Sequence, residues 1–158
     1  MVDVRQRGSM SGNPPELIAI DHDDYHAKHC GITSDGRQFF MTTPFDPSIG
    51  GKDGAEFVAL YFFDSNGVLL ESRIEAFGPR ASCDFEARDK LYDSWLNDLG
   101  DVTFQRIEIA PFAIERFGVT FGFVPSIPED EEDVWAVELQ PGNYMAFFEP
   151  WDSGEYDT

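Results

Sequence analysis

The sequence predicts an α+β fold, an antiparallel sheet of about six to eight strands with one amphipathic helix packed on it. Three observations lead there. Short runs of β-branched and aromatic residues, separated by turn residues, fill most of the chain. A single stretch, residues 85–99, repeats its apolar side chains at spacings of three and four. No internal repeat at a fixed period is visible.

Residues 1–15 lack periodicity, are rich in Gly, Ser and Pro, and end at Pro14-Pro15. They are expected to form a disordered leader, with residues 16–158 as one domain. The apolar run Leu17 to Ile20 reads as a short edge strand. Gln38 to Thr43 is aromatic and β-branched and is closed by Pro44 and Pro47, with a loop over 48–54. Glu56 to Phe63 is almost continuously apolar, the mark of a strand buried on both faces. Asp64-Ser65-Asn66-Gly67 is a hairpin turn that returns the chain as a partner strand over Val68 to Phe77.

Phe85, Arg88, Leu91, Tyr92, Trp95, Leu96 and Leu99 share one helical face. Ser82 or Asp84 can cap its start, and Gly100 stands where a C′ glycine belongs. Four further strands are expected. Phe104 to Ala110 alternates, and Phe117, Val119, Phe121 and Phe123 alternate with Gly118, Thr120 and Gly122, whose small side chains suggest a close neighbouring backbone. Val134 to Leu139 and Tyr144 to Phe148 flank Pro141-Gly142, a type II turn pair.

Thirty acidic residues against eleven basic ones give a formal net charge of −19. Low hydrophobicity with such charge would mean disorder, but fifteen Phe, five Tyr and three Trp supply ample surface to bury. An anionic folded body repels nucleic acid and anionic membranes and attracts cationic surfaces. No run approaches the roughly 20 apolar residues of a membrane span. Cys30 and Cys83 are too few for a disulfide framework and suit a reducing, cytoplasmic setting.

The three histidines, His22, His26 and His29, fall within eight residues, beside Cys30. On a helix they would stand at i, i+4 and i+7 on one face, and three imidazoles with an open position suit Zn²⁺. The competing reading makes Ser34-Asp35-Gly36 a hairpin turn pairing Tyr25–Thr33 with Arg37–Thr43, which puts His29 on the face opposite His26 and Cys30. The strand is favoured, because turn and partner strand agree.

Glu129, Asp130, Glu131, Glu132 and Asp133 form an unbroken acidic run. Asp152, Glu155 and Asp157 are interleaved with Trp151 and Tyr156 at the end of the chain. Carboxylates beside aromatic rings make a docking surface for Arg and Lys through bidentate pairs and cation–π contacts. Other signatures fail. Gly50-Gly51-Lys52-Asp53-Gly54 lacks P-loop spacing, no Ser lies in a G-x-S-x-G elbow, and Asp152-x-Gly154-Glu155-x-Asp157 only approximates a Ca²⁺ loop.

Tyr25-His26 followed by Asp35-Gly36-Arg37-Gln38-Phe39-Phe40, and the ending Glu149-Pro150-Trp151-Asp152-Ser153-Gly154-Glu155-Tyr156-Asp157-Thr158, carry a likeness. Over short islands within residues 25–158 the chain resembles a group of small, largely uncharacterised bacterial proteins, some labelled formate hydrogenlyase regulatory proteins. The resemblance implies a cytoplasmic regulator acting through a protein partner.

The expected function is therefore that of a non-enzymatic acidic module docking a basic protein, as a regulator or an immunity-type inhibitor. Glu129 to Asp133 and Trp151 to Asp157 would be its contact residues. The alternatives are a small metal-binding protein or metal-assisted hydrolase built on His22, His26 and His29, and a nucleic-acid mimic. Zinc at those histidines is the one cofactor the sequence suggests.

Overall fold

A computed structural model describes residues 15–23, 27–47, 54–126, 128, 135–142, 145–151 and 154–156. Along these residues run β1 (Ile18–Ile20), β2 (His29–Thr33), β3 (Gln38–Thr42), β4 (Phe45–Asp46), β5 (Ala55–Phe63) and β6 (Leu69–Pro79). The helix α1 (Phe85–Asp98) follows, then β7 (Val102–Phe104), β8 (Ile107–Ile109), β9 (Phe112–Arg116), β10 (Val119–Ser126), β11 (Ala136–Gln140), β12 (Met145–Phe147) and β13 (Gly154–Tyr156). The α+β class with antiparallel pairing and one helix holds. The strands, however, form three sheets rather than one.

The largest sheet is organised around β5, which pairs with β3, β4 and β6; β2 lies beyond β3, and β7 beyond β2. Every residue of β5 from Glu56 to Phe63 is buried, as its apolar run predicts. Alternate side chains feed two cores. Phe57, Ala59, Tyr61 and Phe63 point to one side, and Val58, Leu60 and Phe62 to the other.

The second side is covered by α1, whose Tyr92, Trp95, Leu96 and Leu99 pack on Phe39, Met41, Val58, Leu60 and Phe62. Asp84 caps the helix by accepting from the Ala87 N–H at 3.0 Å, and Gly100 takes a φ of 74° just past its end. The first side faces a five-stranded sheet in the order β9-β10-β11-β12-β13, with the small sheet β1-β8 beside it. Phe121, Phe123, Val137, Leu139, Met145 and Phe147 interlock there with Phe40, Phe57 and Tyr61. Phe40 and Phe123 meet edge to face at 5.1 Å, as do Tyr61 and Phe112 at 4.9 Å. The layers are thus helix, sheet, sheet.

Several expected elements are corrected. Phe104 to Ala110 is not one strand. It breaks at Gln105-Arg106, so that β7 pairs with β2 while β8 leaves to pair with β1. Burial drives the break, since Ile107 and Ile109 enter the inner core while Phe104 stays at the opposite face. Ile18 to Ile20 form the edge strand expected of them, paired with β8 alone, and all three residues are buried. Phe117 belongs to a turn, and β9, which the sequence reading left out, precedes it. β9 approaches Gly122 of β10 so closely that a Cβ there would stand 2.3 Å from the Phe112 carbonyl oxygen, as the small residue suggests, whereas a Cβ on Gly118 would meet nothing within 4 Å. The expected leader, apart from Pro15, lies outside the described residues.

Candidate functional site

The hairpin β2-β3 settles the position of His29. Its register pairs His29 with Met41 and Cys30 with Phe40. Paired residues share a face, so His29 and Met41 turn toward α1 while Cys30 and Phe40 enter the inner core. The helix alternative for this segment therefore fails at His29 and Cys30, which lie in a strand. Burial pushes the Cys30 thiol up to about 12, helped by Asp23 and Asp21, and the Sγ donates to the carbonyl oxygens of Ala27 at 3.6 Å and Gln105 at 3.4 Å.

Between α1 and the adjoining ends of β2 and β3 opens a groove of about 380 Å³. Met41, Thr42 and Thr43 form its floor, and Lys28 and His29 one wall. The helix supplies the other wall through Asp89, Tyr92 and Asp93. Asp89 and Asp93 are one turn apart, so both carboxylates stand on the same side of the helix. Tyr92 bridges the walls. Its hydroxyl lies 2.5 Å from Nδ1 of His29 and 3.5 Å from the Met41 carbonyl oxygen. The two rings meet at 5.3 Å.

His29 is half-buried, and its pKa is held below the usual 6.5 by burial above all, then by Lys28 and His22, with Asp93 pulling the other way. Phe104 closes the outer end of the strand wall, stacked on His22 at 5.7 Å and tilted against His29 at 5.5 Å. Close pairing of β2 with β7 brings Phe104 there. A Cβ on Gly31 would lie 1.9 Å from the Thr103 carbonyl oxygen.

The acidic candidates are only partly visible. Glu129 to Asp133, Asp152 and Asp157 lie outside the described residues. Glu155 and Tyr156 lie in β13, paired with Ala146 and Met145. Trp151 is half-buried against the inner core, with a φ of 70°, and its carbonyl accepts from the Ala19 N–H at 2.9 Å. Of the three histidines, His26 also lies outside the described residues. The His22 Nε2–H donates to the Lys28 carbonyl at 2.9 Å. Among the described residues, no group of three or more His, Cys, Asp or Glu side chains is placed to hold a metal ion.

The cationic side chains tell a clearer story. Arg37 pairs with Asp35, Arg73 with Glu71, Arg106 with Asp21, and Arg80 and Arg88 with Glu56. Five of the chain's arginines are thus held by its own carboxylates.

Sequence reasoning missed the groove. Tyr92 was legible only as a member of an apolar stripe. The available signal was the pair Asp89 and Asp93 flanking it, which gives the stripe a charged border at helical spacing.

No protein-family model, no curated protein and no solved structure matches the chain.

Proposed function

We propose that the protein is a cytoplasmic acidic binding module that docks a basic protein partner, as a regulator or an immunity-type inhibitor. The observation that carries this reading is the net charge of −19 combined with the internal pairing of Arg37, Arg73, Arg80, Arg88 and Arg106. Basic side chains already held by the chain's own carboxylates are poor contacts for an acidic partner, while a large surplus of carboxylates has no counterion within the chain. Such a field speeds encounter with a cationic surface and disfavours anionic ones.

The groove beside α1 supports the same reading, since Asp89 and Asp93 accompany an aromatic ring there. The acidic run Glu129 to Asp133 and the segment with Trp151, Asp152, Glu155, Tyr156 and Asp157 are the further contacts proposed. A reducing compartment accords with two free cysteines. No helix of the described residues is long and apolar enough to cross a membrane.

The test is capture from the source cell at low salt, elution with salt, and identification by mass. The recovered partner, purified, is then titrated against the full chain over a range of ionic strengths. The expected result is a basic protein whose affinity falls steeply with salt. Recovery of nothing, or of acidic proteins alone, overturns the proposal.

A further inference from the structure

We propose that the groove beside α1 seats one arginine side chain of the partner, as a guanidinium pocket; this rests on the docking reading above. Four features point to that chemistry. The groove's volume of about 380 Å³ suits a side chain rather than a strand or helix. Its helical wall offers two exposed carboxylates one turn apart, Asp89 and Asp93, whose Cβ atoms stand about 5–6 Å from each other. A planar guanidinium with five donors can span that interval, whereas a compact ammonium serves one carboxylate at a time.

Asp89 is already engaged on one oxygen by the chain's own Arg88, so an incoming guanidinium meets it on the other. Its Oδ1 accepts from Arg88 Nη2 at 3.0 Å and Nε at 3.2 Å, which leaves Oδ2 for an incoming group. Between the two carboxylates in sequence, Tyr92 contributes an aromatic ring whose orientation is fixed by the bond to His29 Nδ1. Rings of this kind favour a guanidinium near their faces. Burial of the bridging imidazole, with Lys28 and His22 beside it, lowers its pKa and so disfavours a charge there that would oppose a cation.

Lys28 is the lining cation on the opposite wall, and it is exposed. It disfavours a guanidinium and would instead favour a ligand carrying a carboxylate. That opposition makes the occupant's charge readable by mutation.

The test follows backbone amide signals of the full chain during titration with Nα-acetyl-arginine methylamide. The citrulline and lysine equivalents serve as uncharged and ammonium probes. The expected shifts are confined to residues 28–29, 41–43 and 89–93, are absent with the citrulline probe, and are weaker with the lysine probe. Asp93→Asn should lower the affinity about two- to fivefold, and Lys28→Glu should raise it by a similar factor. Unchanged dispersion of the remaining signals certifies the fold of each variant.

Shifts scattered over the acidic surface, or none, overturn the pocket. Equal response to lysine overturns the guanidinium assignment. Weaker binding of the arginine probe to Lys28→Glu shows that carboxylates in the groove do not hold the guanidinium and overturns it also. If the chain captures a basic partner undiminished after Asp93→Asn while no arginine probe binds, the docking reading stands and this inference falls. If arginine seats in the groove but no basic protein is captured, the docking reading is the one that fails.

Discussion

Oε1 of Glu56 lies 3.1 Å from Nη1 of Arg88, and the carboxylate is only 1% exposed. Glu56 sits at the start of β5, and Arg88 on the first turns of α1, so the pair fastens the helix to the central strand. Arg80 completes the arrangement at 2.5 Å from Oε2, with its guanidinium 3.6 Å above the Phe45 ring. A buried carboxylate in a chain of net charge −19 is tolerable only with such cations in place.

The two arginines are not equivalent in energy. The Arg88 side chain is 19% exposed and that of Arg80 is 58% exposed. Removing Arg88 leaves a buried charge poorly compensated, and Arg88→Ala should destabilise the fold by about 3 kcal/mol. Arg80 is screened by solvent, and Arg80→Ala should cost about 1 kcal/mol or less. Urea unfolding midpoints of the two variants check the order. Equal losses would show that Arg80 bears as much of the compensation.

His29 gives a pH dependence whose sign follows from its environment. Its folded pKa lies below the unfolded value of 6.5, so near and below that value the unfolded chain binds more protons. Stability contributed by His29 is complete above 6.5 and is lost as the pH falls toward the folded pKa. Lys28 and His22 deepen this loss, and Asp93 moderates it. His29→Asn should therefore flatten the fall in urea midpoint between about pH 7.5 and about pH 5.5. The wild type and the variant losing stability in parallel over this range would contradict the assignment.

Much of the scaffold behind His29 was legible in the sequence, and the reasons are local. The helix was readable because Tyr92, Trp95, Leu96 and Leu99 repeat at its period and Asp84 and Gly100 bound it. The strand β5 was readable because eight consecutive residues avoid any exposed face. The division into three sheets was not, since it depends on long-range pairing. The apolar phase shifts across the polar pair Gln105-Arg106, from Phe104 to Ile107 and Ile109, but only the fold shows that the Gln105 N–H donates to the Cys30 carbonyl there and that the chain then turns to β1. The groove was hidden for the same reason. Lys28 and Asp93 are 65 positions apart in sequence, and only the hairpin register and the helix placement bring them to one opening.

The close approach of β2 to β7 makes Gly31 intolerant of any side chain. A Cβ would meet the Thr103 carbonyl oxygen at 1.9 Å and the Phe104 Cα at 2.9 Å, both of them backbone atoms that cannot swing aside. Gly31→Ala should separate the strands at a cost of about 3 kcal/mol. It should also free Phe104 from His29, visible as changed His29 ring signals. Full retention of stability would mean that β7 is not held there.

The thiols should differ sharply in reactivity. Cys30 is fully buried with its thiol pushed up to about 12, whereas Cys83 sits at a partly exposed turn before α1. A disulfide reagent added to the native chain should modify Cys83 alone, and both thiols in denaturant. Rapid native labelling of Cys30 would place its side chain outside the core and undo the hairpin register on which the groove depends.

Phe117 and Gly118 are the central residues of the turn joining β9 to β10, where Arg116 opposes Val119. Both have positive φ, 56° and 73°, the pattern of a type I′ turn, which favours Asn-Gly. A non-glycine residue in this conformation costs about 1–2 kcal/mol, least for Asn and Asp. The Phe117 ring recovers only part of that, being 60% exposed and stacked on Phe57 at 6.1 Å. Phe117→Asn should thus stabilise the fold by about 0.5–1 kcal/mol, a rise in Tm of roughly 1–4 °C. A fall in Tm would show that contact with Phe57 outweighs the backbone strain, and that the aromatic residue is kept there for packing.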